Sequence, residues 1–152
     1  MRKRQRGHAM IELAISAGVM VAFLSGTFEF GYTFYVYNQL VSAVGNGGRY
    51  AAQRSYRAAT PDDIEKGKAA IRNMVVYGDS RPAPDAVPLV VNLRPEQVKV
   101  EWVPGEADVP SAVNVSIANY KVNAMFGEFT FKGRPGVEFP FVGRYAPSER
   151  EQ

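Results

Sequence analysis

The sequence has no cysteine, one histidine and one tryptophan. Without cysteine there is no disulfide and no thiolate metal site, and nothing follows about redox compartment. His8 has no second imidazole or thiol with which to build a metal site or a nucleophile–base pair. The Gly-x-Ser-x-Gly, Walker A and Gly-x-Gly-x-x-Gly patterns are absent as well. The expectation is a chain with no catalytic residues, no cofactor and no metal, and hence not an enzyme. Positive charge is also scarcer than the total suggests. The net charge is +3, but residues 1–7 hold four of the 18 Lys and Arg and none of the 15 Asp and Glu. The remainder therefore carries 14 basic against 15 acidic residues, a net −1. No basic stripe recurs later, so a nucleic-acid partner is not expected.

What the chain does have is a long apolar run. After Arg2, Lys3, Arg4, Arg6 and Gly7, the residues from Ala9 to Phe28 are apolar or small except for Glu12. Twenty residues at about 1.5 Å each span about 30 Å, the thickness of a bilayer's hydrocarbon core. Basic residues before the run fit the cytoplasmic edge of a span, and aromatics after it fit the opposite edge. The competing reading is a Sec signal peptide, whose apolar core usually covers about 7–15 residues and ends at a small-x-small site. Here the run is longer and passes directly into an aromatic helix, which favours an uncleaved span. Glu12 is the unusual residue, because a carboxylate in mid-membrane costs roughly 2.5–3.5 kcal/mol on insertion scales. Lying one turn inside the basic end, it costs less, but it still calls for a partner.

The motif GHAMIEL resembles the processing site of type IV pilin-like precursors. A second block stands in register with it: Glu29, Phe30 and Gly31, then Gln39 and Leu40, then Gly48, Arg49 and Tyr50. Together they resemble the TadE-like family, pseudopilins that are minor components of tight-adherence (Flp) pilus systems. Leu13 stands where the Flp-type motif often has Phe or Tyr. The resemblance implies that a prepilin peptidase cuts after Gly7 on the cytoplasmic face, leaving His8 as the new terminus. It also implies that Glu12 pairs with the terminal amine of a neighbouring subunit. The implied partners are other pilin-like subunits, the pilus assembly machinery and the inner membrane. The implied role is assembly, initiation or regulation of a pilus. The alternative is a membrane-anchored extracytoplasmic binding module that never enters a filament.

The rest of the chain reads as an α+β head on a pilin-like stalk. The pattern predicts one long helix over about 9–57, with Gly45–Gly48 as a place to bend or to admit a close neighbour. Thr60 and Pro61 start a second helix, with Asp62 and Asp63 favouring its N-terminus and Gly78 ending it. Asp62, Asp63 and Glu65 diverge around that helix, so they read as first-turn acids rather than a metal site. After a proline-rich loop the period shortens to two. Val98, Val100 and Trp102, then Val113, Val115 and Ile117, then Phe129 and Phe131, then Val137, Phe139 and Phe141 read as strands with one buried face. Leu89–Leu93 is a further candidate, and Pro140 places the last strand at an edge. Short connections predict an antiparallel meander covered by the helices. The expected organisation is a cytoplasmic leader at 1–7, a membrane helix at 8–30, its extracytoplasmic extension at 31–57 and a head at 58–152.

The processing expectation can be checked directly. Replacing Gly7 with a bulky residue should leave the leader attached, whereas the wild-type protein should begin at His8 by intact mass. A mature species beginning near Gly26 would establish a cleaved signal peptide instead.

Overall fold

The computed structural model describes residues 2–53, 61–105, 110–124 and 127–143. A helix α1, Arg2–Gln53, is followed by a second helix α2, Pro61–Tyr77. Among the described residues five strands follow: β1 Val98–Pro104, β2 Pro110–Ile117, β3 Tyr120–Ala124, β4 Gly127–Phe131 and β5 Gly136–Pro140. A 3-10 turn, Pro95–Gln97, leads into β1. The layout is the expected α+β one, with a long N-terminal helix, a second shorter helix and a small antiparallel sheet.

The sheet departs from the expected meander. β1 pairs antiparallel with β2, and β2 pairs antiparallel with β5, giving the order β1-β2-β5. β3 and β4 form a separate hairpin inserted between β2 and β5. Asn119, with φ of 58°, turns the chain out of β2 into that hairpin. Asn tolerates this left-handed conformation better than most residues, which is why the sheet can be left so abruptly here. β5 lies at an edge, so Pro140 removes no ladder bond from a central strand. Leu89–Leu93 is not a strand. Its backbone turns, with Leu93 N donating to the Val90 carbonyl at 3.1 Å and Asn92 at a φ of 63°. Val90 and Leu93 nonetheless reach the core, so the apolar content was read correctly and the period was not.

α2 begins at Pro61 with Asp62 and Asp63 in its first turn, as the sequence dictates. Thr60, the expected cap, lies outside the described residues, as do 54–57, the expected end of α1. Gly78 closes α2 at a φ of 75°, and its N–H bonds to the Met74 carbonyl at 3.0 Å. A side chain at that φ would be strained, so glycine is the residue the stop requires.

The core lies between α1 and everything after it. Val36, Leu40, Ala43, Val44, Ala51 and Ala52 of α1 are buried. They meet Ile71, Val75 and Val76 of α2 and the sheet's Val98, Val100, Val113, Val115 and Ile117. Tyr120 and Val122 of β3 close one end. Each Val, Leu or Ile among them contributes about 1.5–3 kcal/mol on burial. At the far end of α1 the chain is tied by a hydrogen bond from Val142 N to the Ala52 carbonyl, 3.0 Å.

Helical structure runs without interruption through Gly45–Gly48. These glycines admit neighbours. A Cβ on Gly47 would lie 2.2 Å from Val75 Cγ2, and one on Gly48 would lie 2.6 Å from the Phe139 ring and 3.0 Å from Val137. The two glycines thus let α2 and β5 approach adjacent flanks of the same helical turn. By contrast, a Cβ on Gly67 of α2 would meet open space.

That contrast gives a paired prediction. Gly67→Ala should stabilise by up to about 1 kcal/mol through helix propensity alone. Gly47→Ala gains the same propensity but overpacks against a β-branched side chain that cannot easily rotate, at about 1–3 kcal/mol, so it should be net destabilising. Thermal unfolding of the two full-length variants in detergent measures both, and a rise for Gly47→Ala would contradict the packing described.

Candidate functional site

α1 has two halves with opposite surroundings. From residue 7 to residue 35 every residue is exposed except Ser25, Glu29 and Thr33, which are half-buried. Large apolar side chains are among the most exposed, including Phe23 at 77%, Phe28 at 84% and Phe30 at 76%. Water does not tolerate such a surface on an isolated protein, where exposed apolar patches are normally small. The segment is long and apolar enough to cross a membrane, and the head buries none of that window. From Val36 onwards the helix belongs to the head.

The candidate residues divide between the two halves. Gly7, His8 and Glu12 are exposed at the far end. No salt bridge involves Glu12 among the described residues. Its carboxylate therefore stands on an apolar helix one turn from His8, about 6 Å along the axis. An amine brought beside it in low dielectric would relieve the desolvation of both groups. The structure does not bring Gly7, His8 and Glu12 together with the second block, since one continuous helix separates them.

Glu29, Phe30 and Gly31 lie where the exposed and buried halves meet. Glu29 is half-buried, Phe30 is exposed, and a Cβ on Gly31 would meet nothing within 4 Å. Gly48, Arg49 and Tyr50 sit about 26 Å further along the helix axis, inside the head. Gly48 is buried against Phe139 and Val137, Tyr50 packs on the core, and Arg49 is exposed. Of the second block, Gly48 and Tyr50 are thus explained by packing: Gly48 lets β5 approach, and Tyr50 covers the core's edge.

The sequence reading missed β3, and with it the contact that shapes the boundary. Its signal was present in the alternation of Tyr120, Val122 and Ala124 with Lys121 and Asn123. The Phe131 ring stands 5.4 Å from that of Tyr37, and Tyr120 stacks on Phe131 at 6.4 Å. The Tyr120 hydroxyl donates to the Val91 carbonyl at 2.6 Å. Burial, with Tyr32 adding to it, pushes the Tyr120 phenol above its usual range. Lower down, Asn123 joins Leu24, Phe28, Tyr32 and Tyr35 around an open, mainly apolar groove of about 770 Å³. Thr33 Oγ1 is buried nearby on the helix stripe with no hydrogen-bond partner. Among the described residues no group of three or more His, Asp or Glu could hold a metal ion.

Residues 7–49 match the family model described as TadE-like protein. The match covers the exposed half of α1 and most of its buried half, and it takes in every motif residue named above except Tyr50. No curated protein and no solved structure shows significant similarity to the chain.

The two-part helix makes a prediction about fragments. A chain beginning at Tyr37 keeps Leu40 to Ala52 over the sheet and discards the exposed apolar half. It should be soluble, folded and monomeric, with mixed helix and sheet by circular dichroism. A chain beginning at Thr60 exposes the partners of Leu40 and Val44, and removing even one such side chain typically costs about 2–5 kcal/mol. It should aggregate or melt far lower. Equal stability of the two would mean that α1 is not part of the head's core.

Proposed function

We propose that the protein is a minor pilin-like subunit of a tight-adherence pilus system, acting in assembly, initiation or regulation rather than in catalysis. It crosses the inner membrane once, with residues 1–7 in the cytoplasm and the head outside. A prepilin peptidase removes the leader after Gly7. The observation that carries this reading is the single unbroken helix whose first half is bare and apolar while its second half is the spine of the head. Such a helix is held by lipid until other pilin-like helices replace the lipid around it. Helix association in lipid depends on packing and polar pairing, because the tails are as apolar as the side chains. Glu12 is the polar group available for that pairing, with the His8 amine of a neighbour as its partner.

Glu12→Ala tests this. Removing the acid makes membrane insertion easier. Cleavage and membrane level should therefore be unchanged, while incorporation into the pilus and co-purification with other pilin-like subunits fall. Normal pilus yield and normal co-purification in the variant would remove Glu12 from assembly and favour a tethered module outside the filament.

A further inference from the structure

The β3–β4 hairpin descends along α1 towards the exposed half of the helix. Its base pair, Tyr120 with Phe131, lies level with Tyr37, through the ring contact between Phe131 and Tyr37. Its last pair is Ala124 with Gly127. Four strand residues cover about 13 Å. Nine helical residues, from Tyr37 down to Phe28, cover about the same distance. Asn123, next to that last pair, lines a groove with Phe28 and Tyr32, which places the end of the hairpin beside that stretch of α1.

That level coincides with a boundary set independently by the sequence. The apolar run ends at Phe28. Beyond a hydrocarbon core of about 30 Å, headgroups add roughly 5–8 Å on each side. If Phe28 marks the edge of the hydrocarbon, the headgroup layer extends along α1 to about residue 32. The hairpin end falls inside it.

The chemistry of the hairpin suits that layer. Phe129 is 52% exposed, on the same face as buried Val122, its partner in register. Lys121 and Glu128 pair at 2.8 Å on the other face. Their charges cancel, so apolar and aromatic burial, rather than attraction to anionic lipid, is the available driving force.

We propose that the end of the β3–β4 hairpin is seated in the headgroup layer of the membrane that α1 crosses, with Phe129 facing the acyl boundary. The head then has two attachments to the bilayer, a span and a hairpin, and is held at one orientation to the surface before assembly. Extraction of the subunit must release both. This rests on α1 crossing the bilayer, and the test separates the two claims.

The full-length protein, with Trp102→Phe to remove the native tryptophan, is placed in phosphatidylcholine vesicles carrying bromine at defined acyl positions. Three single reporters are compared: Val19→Trp, Phe129→Trp and Asn123→Trp, the last as a second probe should Phe129→Trp not fold. Val19→Trp should be quenched most by deep bromines. Phe129→Trp should be quenched more by bromines near the glycerol end than by deep ones, as a side chain at the headgroup boundary is. The same result is expected with anionic lipid added. Quenching at Val19 with none at Phe129 or Asn123 would overturn the hairpin proposal and leave the span intact. So would an unquenched Phe129→Trp emission that shifts only as the protein-to-lipid ratio rises, because the hairpin would then face another subunit. Absence of quenching at Val19 would overturn the span, and the hairpin proposal with it.

Discussion

One helix has to satisfy two solvents. The first half of α1 presents bulky apolar side chains on every side, and only a hydrocarbon environment or other apolar helices can match it. The second half has one apolar stripe, Val36 to Ala52, and needs a protein core against that stripe. Because the backbone hydrogen bonds are satisfied within the helix throughout, the element can pass from one medium to the other without a break. The rest of the chain is arranged to cover the second half and to leave the first bare.

That arrangement explains features that look unrelated in the sequence. The three-stranded sheet is too small to form a core alone, so it takes α1 as one wall and α2 as another. Two glycines in succession let α2 and β5 approach α1 closely: Val75 presses on Gly47, and Phe139 with Val137 on Gly48. A helix with ordinary side chains there would hold α2 and β5 further out, opening gaps around Leu40 and Val44. The left-handed residues Gly78 and Asn119 stop α2 and redirect the chain after β2, returning the later elements to the same helix.

The elements legible in the sequence were those with a clear period or a strong punctuation. The apolar run, the Pro61 start and Gly78 stop of α2, and the alternation in β1, β2 and β5 all emerged because local chemistry and final packing agree. Leu89–Leu93 misled because four of its five residues are apolar, while Asn92 adopts a turn conformation that a strand would not allow. β3 was missed because only five residues carry its alternation, directly after β2. The insertion of the β3–β4 hairpin between β2 and β5 depends on a tertiary choice that no local pattern encodes. Among the candidate residues, Gly48 and Tyr50 found a packing explanation, whereas Gly7, His8 and Glu12 stand exposed with the rest of the apolar half. The level of the hairpin beside Phe28 could not be read from sequence, since it joins residues about a hundred positions apart.

The most direct measurement of the central claim uses the absence of native cysteine. Single substitutions Gln5→Cys, Val19→Cys, Asn38→Cys and Lys99→Cys in the full-length protein would be exposed to a membrane-impermeant maleimide in cells stripped of their outer layers. The account predicts labelling of Asn38→Cys and Lys99→Cys in intact cells, none of Val19→Cys, and labelling of Gln5→Cys only after permeabilisation and in protein that retains its leader. Labelling of Val19→Cys in intact cells, or protection of both head positions until the membrane is opened, would contradict it.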